Sequence, residues 1–124
     1  MDYRKSSLKA YNTTEQTLPA NGLFTFPESS LTGCSIKFAD GGSQVLLTKP
    51  GLYFVFFETN TSGSVALLRN GVIVPGTEST IIFATLVEVP QTCCHNDEKV
   101  KLAVQNTGAE ATYPDANLIV FKLA

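Results

Sequence analysis

The chain has 124 residues, 44% hydrophobic and 16% charged, with a formal charge of -2. This length suits one domain with a sizeable core, and the apolar content excludes intrinsic disorder. The slight acidic excess, with no basic run longer than Arg4-Lys5, lacks the electrostatic footprint of a nucleic-acid binder.

The opening MDYRKSSLKAYNTTEQT is polar and no apolar run of about 18 residues follows, so neither a secretory leader nor a membrane span is expected. Residues 1–6 read as a short tail and 7–124 as a single domain. Along it, short runs rich in Val, Ile, Phe, Tyr and Thr alternate with Gly, Pro, Asn and Asp, and helical periodicity is nearly absent. The expected strands are 7–11, 23–26, 33–38, 44–48, 52–59, 64–69, 72–74, 80–89, 99–105 and 116–123. About ten short strands is the count of an antiparallel sandwich or barrel.

The turns between them have physical signatures. ADGGS at 39–43 reads as a loop. Asn70-Gly71 suits the positive φ angles of a type I′ hairpin turn, and Pro50-Gly51 and Pro75-Gly76 suit tight turns. The sequons at Asn12 and Asn60 carry no weight without an export signal.

Three of the strands are apolar on both sides. In GLYFVFFETN, Tyr53, Val55 and Phe57 alternate with Leu52, Phe54 and Phe56. In TIIFATLVEV, Ile82, Ala84, Leu86 and Glu88 alternate with Ile81, Phe83, Thr85, Val87 and Val89, and ANLIVFKLA behaves likewise. An antiparallel sandwich buries one face of each sheet and usually wets the other. With no helix to cover the second face, burial against further copies of the chain is expected. Tyr53, Val55, Phe57, Phe83, Leu118, Val120 and Phe121 are the candidates for core and interface. Parity groups them without saying which face is which, because a β-bulge would exchange the sides.

TKPGLYFVFF resembles the strand signature of the tumour-necrosis-factor-like and complement globular-head superfamily, VALLRNGVIV its following hairpin and DANLIVFKL its closing strand. The resemblance spans about residues 20–124 and implies a jelly-roll sandwich of about ten antiparallel strands that assembles as a homotrimer. MDYRKSSLKAYNTTEQTL, TGCSI, KPGLYFVFFE, LLRNGVIVPG, VPQTCC and LAVQNTG together look like head-fibre or capsid-decoration proteins of tailed phages and prophages of gut Firmicutes. The same domain type resembles the heads of collagen-like spore-surface glycoproteins. This likeness implies a non-enzymatic ornament on the virion surface, made in the bacterial host cytoplasm. Its implied partners are its own copies, the major capsid protein or another virion component, and surface or mucosal glycans. No Gly-x-y tract or heptad pattern is present, so the mode of attachment is not implied.

Chemistry-bearing residues are sparse. His95 is the only histidine, and the carboxylates are scattered, a poor inventory for catalysis. CCHNDE at 93–98 offers Cys93, Cys94, His95 and Asp97, but its spacing fits no zinc motif and reads better as a hairpin tip. Calcium binding by Asp40, Glu58, Asn60 and Asp97 is not demanded by their spacing. No cofactor or metal is therefore expected. The three cysteines permit at most one internal bridge; if one forms, neighbouring cysteines rarely pair, which favours Cys34 with Cys93 or Cys94, Cys34 with Cys93 being the candidate pair. Tyr113, in ATYPDAN, is the candidate ligand contact. Two functions follow: a trimeric capsid ornament, or a trimeric carbohydrate- or receptor-binding head.

Overall fold

In the computed structural model, residues 6–61, 63–79, 81–91 and 100–124 are described. They form twelve strands: β1 Ser7–Asn12, β2 Gln16–Leu18, β3 Glu28–Thr32, β4 Ile36–Lys37, β5 Val45–Leu47, β6 Gly51–Thr59, β7 Val65–Arg69, β8 Val72–Ile73, β9 Ile82–Val89, β10 Val100–Asn106, β11 Ala111–Tyr113 and β12 Ala116–Lys122. Two five-stranded antiparallel sheets face each other. The first has the order β3-β1-β12-β6-β9 and the second β4-β5-β10-β7-β8, and β11-β2 forms a small ribbon. From β5 to β7, and again from β8 to β12, the chain crosses between the sheets, the connectivity of a rolled double-sheet sandwich.

Alternation in the sequence becomes two faces in space. Tyr53, Val55 and Phe57 of β6, Phe83 and Val87 of β9, and Leu118 and Val120 of β12 all point inward and are buried. The second sheet answers with Val45, Leu47, Leu67, Leu102 and Val104. An aromatic cluster lies in the core: Phe57 stacks on Phe83 at 5.5 Å, and Phe24 meets Phe57 and Tyr113 edge-on at 5.0 and 4.5 Å. Such pairs add about 0.5–1.5 kcal/mol beyond the area they bury. The register between β6 and both its neighbours is unbroken, so no bulge exchanges the faces.

Two expected turns form as their chemistry dictates. Asn70 and Gly71 hold φ of 52° and 85°, the type I′ signature, and the Asn70 side chain accepts the backbone N–H of Lys101 at 2.8 Å. Thr77 N–H donates to the Val74 carbonyl around Pro75-Gly76.

Two expected strands need correction, and three further strands appear. Residues 23–26 are not a strand: only Leu23 bridges Gln105, although Phe24 N–H still donates to Val104. Phe24 and Phe26 are apolar because they fill the core, not because they belong to a ladder. The expected strand 33–38 shrinks to β4. The ribbon strands β2 and β11 and the edge strand β3 were not expected, since QTL, ATY and ESSLT lack an apolar alternation.

Candidate assembly surface

The outer face of the first sheet is built by cross-strand rows. Phe121 of β12 lies opposite Phe54 of β6, which lies opposite Leu86 of β9; Ile119, Phe56 and Ala84 form the adjoining row. Phe54 and Phe121 touch with ring centroids 5.2 Å apart. Leu52 extends the patch toward one end and Ile82 toward the other. These side chains stand where a solvated sheet would carry polar residues. Ile82 is 47% exposed and Leu86 54%, and Phe54, Phe56 and Phe121 are half-buried.

The same face turns polar as it passes to β1 and β3. Ser7, Lys9 and Tyr11 stand opposite Phe121, Ile119 and Asn117, and Thr32, Ser30 and Glu28 complete the rows. Glu58 and Glu88 mark the two ends. A part-aliphatic, part-aromatic centre with a polar rim is the anatomy of a protein interface.

At the β9 edge the apolar surface turns a corner. Arg69 of β7 donates to the Glu88 carbonyl at 3.0 Å, bringing the edges of the two sheets together. Beyond that link stand Val72, 70% exposed, and Ile73 on β8. The molecule thus has an apolar face and a separate apolar edge.

Of the seven candidate core and interface residues, Tyr53, Val55, Phe57, Phe83, Leu118 and Val120 lie in the sandwich core, and Phe121 stands on the outer face. The outer residues Phe54, Phe56, Ile119 and Leu86 are the ones that parity left undecided.

Tyr113 is corrected: it is 0% exposed and offers no surface to a ligand. Its hydroxyl donates to Asn106 Oδ1 at 2.7 Å. Asn106, itself buried, uses its amide N–H groups on the carbonyls of Leu18, Pro19 and Ala109, and its oxygen also accepts from Gly108 N–H. This polar hub ties together three loops at one end of the sandwich, with its demands met. A Cβ at Gly63 would collide with the Tyr113 hydroxyl, so that loop passes close only because position 63 is bare. Asn106 went unnoticed in the sequence, though an Asn two residues before Gly at a strand end signals such a side-chain turn.

Burial pushes the Tyr53 hydroxyl above its ordinary 10.0, opposed by hydrogen bonds to the Lys49 carbonyl and to Ser35. Burial raises Tyr113 likewise, against a hydrogen bond to the Ser64 carbonyl.

Cys34 is an exposed free thiol. Cys93, its candidate partner, lies outside the described residues, as do Cys94, His95 and Asp97. Among the described residues no group of three or more His, Cys, Asp or Glu is placed to hold a metal ion. Asp40 accepts a hydrogen bond from Ser29.

No family model matches the chain, and no curated protein matches it. Solved structures do. The chain is similar to PRD1 vertex protein P5 with a TM-score of 0.56 and 17% identity, over 97% of this chain and 98% of that one. At that identity the likeness concerns the fold: this chain is an all-β antiparallel sandwich of the kind seen in a vertex protein.

Proposed function

We propose that the chain is a structural protein of a phage virion: a jelly-roll subunit that assembles as a homotrimer through the β12-β6-β9 face and decorates the particle surface, seated on the major capsid protein or another virion component. The observation that carries this reading is the apolar outer face centred on Phe54, Phe56, Ile119 and Phe121. Full burial of one such side chain is worth about 1.5–3 kcal/mol. Half a dozen of them, even part-covered beforehand, match in order of magnitude the ~4–15 kcal/mol that association costs.

A face and an adjoining edge are different surfaces. If the edge of one copy, with Val72 and Ile73, packs on the face of the next, the contact is head-to-tail and forms a ring when its rotation closes, unlike the self-matched contact of a two-fold dimer. The strand order, the resemblance of TKPGLYFVFF and DANLIVFKL to trimeric heads, and the fold likeness to a vertex protein all support a particle component. The carbohydrate-binding alternative loses the residue on which it rested, because Tyr113 is enclosed.

Size exclusion with light scattering tests the assembly: a mass of three chains is expected, and a single chain at micromolar concentration would overturn it. Labelling of purified particles with antibody to the chain tests the location, with surface decoration expected. Particles that carry no label refute the ornament reading even if the trimer stands.

A further inference from the structure

With the first sheet turned toward neighbouring copies, the second sheet's outer face is the one left to the surroundings. We infer that this face binds an acidic glycan, whose carboxylate or sulfate groups pair with Lys37 and Lys101. The inference rests on the assembly reading above for its direction, but on separate residues for its chemistry.

The registers place Lys37 of β4 opposite Leu46 of β5, and Leu46 opposite Lys101 of β10. The two lysines thus stand on one face, two strands apart, about 9–10 Å at ordinary strand spacing. Both are exposed, and neither ammonium group has a hydrogen-bond or ion-pair partner among the described residues. On either side of this row the surface is hollowed. One hollow, of about 390 Å3, is lined by Lys37, Phe38, Gln44 and Leu46 among others. The other, of about 460 Å3, is lined by Leu23, Gln44, Leu68, Asn70 and Lys101 among others. Gln44 belongs to both walls, so they form one shallow depression across the sheet.

Among the described residues no carboxylate lines either hollow, although the chain as a whole carries more acid than base. The first sheet's outer face holds Glu28, Glu58 and Glu88 against Lys9. Charge is therefore segregated between the two faces, and an anion is steered to one of them. A sugar fits the remaining chemistry. Leu23, Leu46 and Leu68 supply apolar floor for the C–H side of a ring, and the Gln44 amide offers both a donor and an acceptor to hydroxyls. Asn70 has its oxygen engaged by Lys101 N–H, which leaves its NH2 group to donate.

Two other anionic partners fit less well. Single-stranded nucleic acid is held by bases stacked on exposed rings, whereas the ring nearest this row, Phe38, is packed edge-on to Phe26 at 6.3 Å. An extended acidic peptide adds along a sheet edge, whereas this depression runs across the strands, from β4 at the edge to β10 and β7.

The test uses the full chain with heparin, hyaluronan, neutral dextran and duplex DNA as probes, in a surface-binding assay at low and physiological salt, with the mass of every sample measured by light scattering. Heparin or hyaluronan is expected to bind, more weakly as salt rises, while dextran does not. The double variant Lys37→Ala with Lys101→Ala is expected to weaken binding by about tenfold or more. Lys49→Ala, an exposed lysine outside the depression, is expected to leave it unchanged. All three positions are exposed, so the variants should melt with the parent. A trimer that binds neither acidic glycan overturns the glycan site and leaves the assembly reading intact. A monomer whose binding is lost in the double variant supports the site and overturns the assembly. Equal loss in Lys49→Ala, or tighter binding to DNA than to either glycan, also overturns the site.

Discussion

On the β12-β6-β9 part of the first sheet the positions that alternate with core residues include Phe54, Phe56, Ile119, Phe121, Ile82 and Leu86; on the second sheet they include Lys37, Leu46, Lys101, Gln105, Ala66, Leu68 and Ala103, with no aromatic ring among them. Both sheets bury their inner faces equally well, so the difference owes nothing to the core. It reflects what lies outside. A sheet that meets water can carry Lys and Gln at those positions, whereas one carrying aromatic and branched side chains is paying a hydration penalty unless something covers it. Since both sheets come from one short chain, the contrast supports the proposal that one side serves assembly and the other meets the surroundings.

The sharpest way to break this contrast is to place a charge on each side in turn. Phe54→Asp is expected to reduce the assembled mass from three chains to one, because a carboxylate would be buried without a partner in the interface. Leu46→Asp, on the opposite sheet, is expected to leave the mass unchanged. Light scattering compares them, and equal behaviour would erase the distinction between the faces.

Next in size is the hub at the end of the sandwich, which both sheets share. Asn106→Ala leaves the Tyr113 hydroxyl and the Leu18 and Ala109 carbonyls without their partner, at about 1–3 kcal/mol for each group left buried and unpaired. Urea unfolding should show that loss, while Tyr113→Phe, which keeps the ring and removes only the hydroxyl shared between Asn106 and the Ser64 carbonyl, should cost only about 0.5–1.5 kcal/mol.

A pH series separates core from surface more gently. Tyr53 and Tyr113 have folded-state values above 10.0, so the native state holds their protons after the unfolded chain has released them. Their stabilising contribution is complete below pH 10 and is lost as pH rises through the folded values. Thermal melts should therefore fall above pH 10, and Tyr53→Phe with Tyr113→Phe should flatten that fall. An effect of the same order as that of Tyr113→Phe is expected at the β7 to β8 turn: Asn70→Ala places a β-carbon residue without a local hydrogen bond at φ of 52° and should cost about 1–2 kcal/mol in the same melts.

Much of this was legible in the sequence. Period-two alternation in GLYFVFFETN and ANLIVFKLA defined the long strands and the presence of two apolar faces, because a buried pleat allows little else. It did not say that Tyr53 and Phe57 face inward while Phe54 faces out, since both rows are greasy and only the opposing sheet decides. ESSLT became a strand because β1 offers it a ladder, a long-range reason that no local window contains. Phe24 and Phe26 misled for the converse reason: apolar spacing without a continuous partner. Tyr113 looked like an exposed loop aromatic beside Pro114, and the groups that enclose it, Asn106, Phe24 and Gly63, are remote or carry no apolar signal of their own.

The closeness of Gly63 to the Tyr113 ring limits how this end of the molecule can drift over time. The exposed Asn60 can be exchanged for whatever a changing environment favours, but any side chain at 63 would lever the tyrosine from its niche and unpick three loops at once. Diversity at this tip must therefore arise around a fixed, naked point in the backbone.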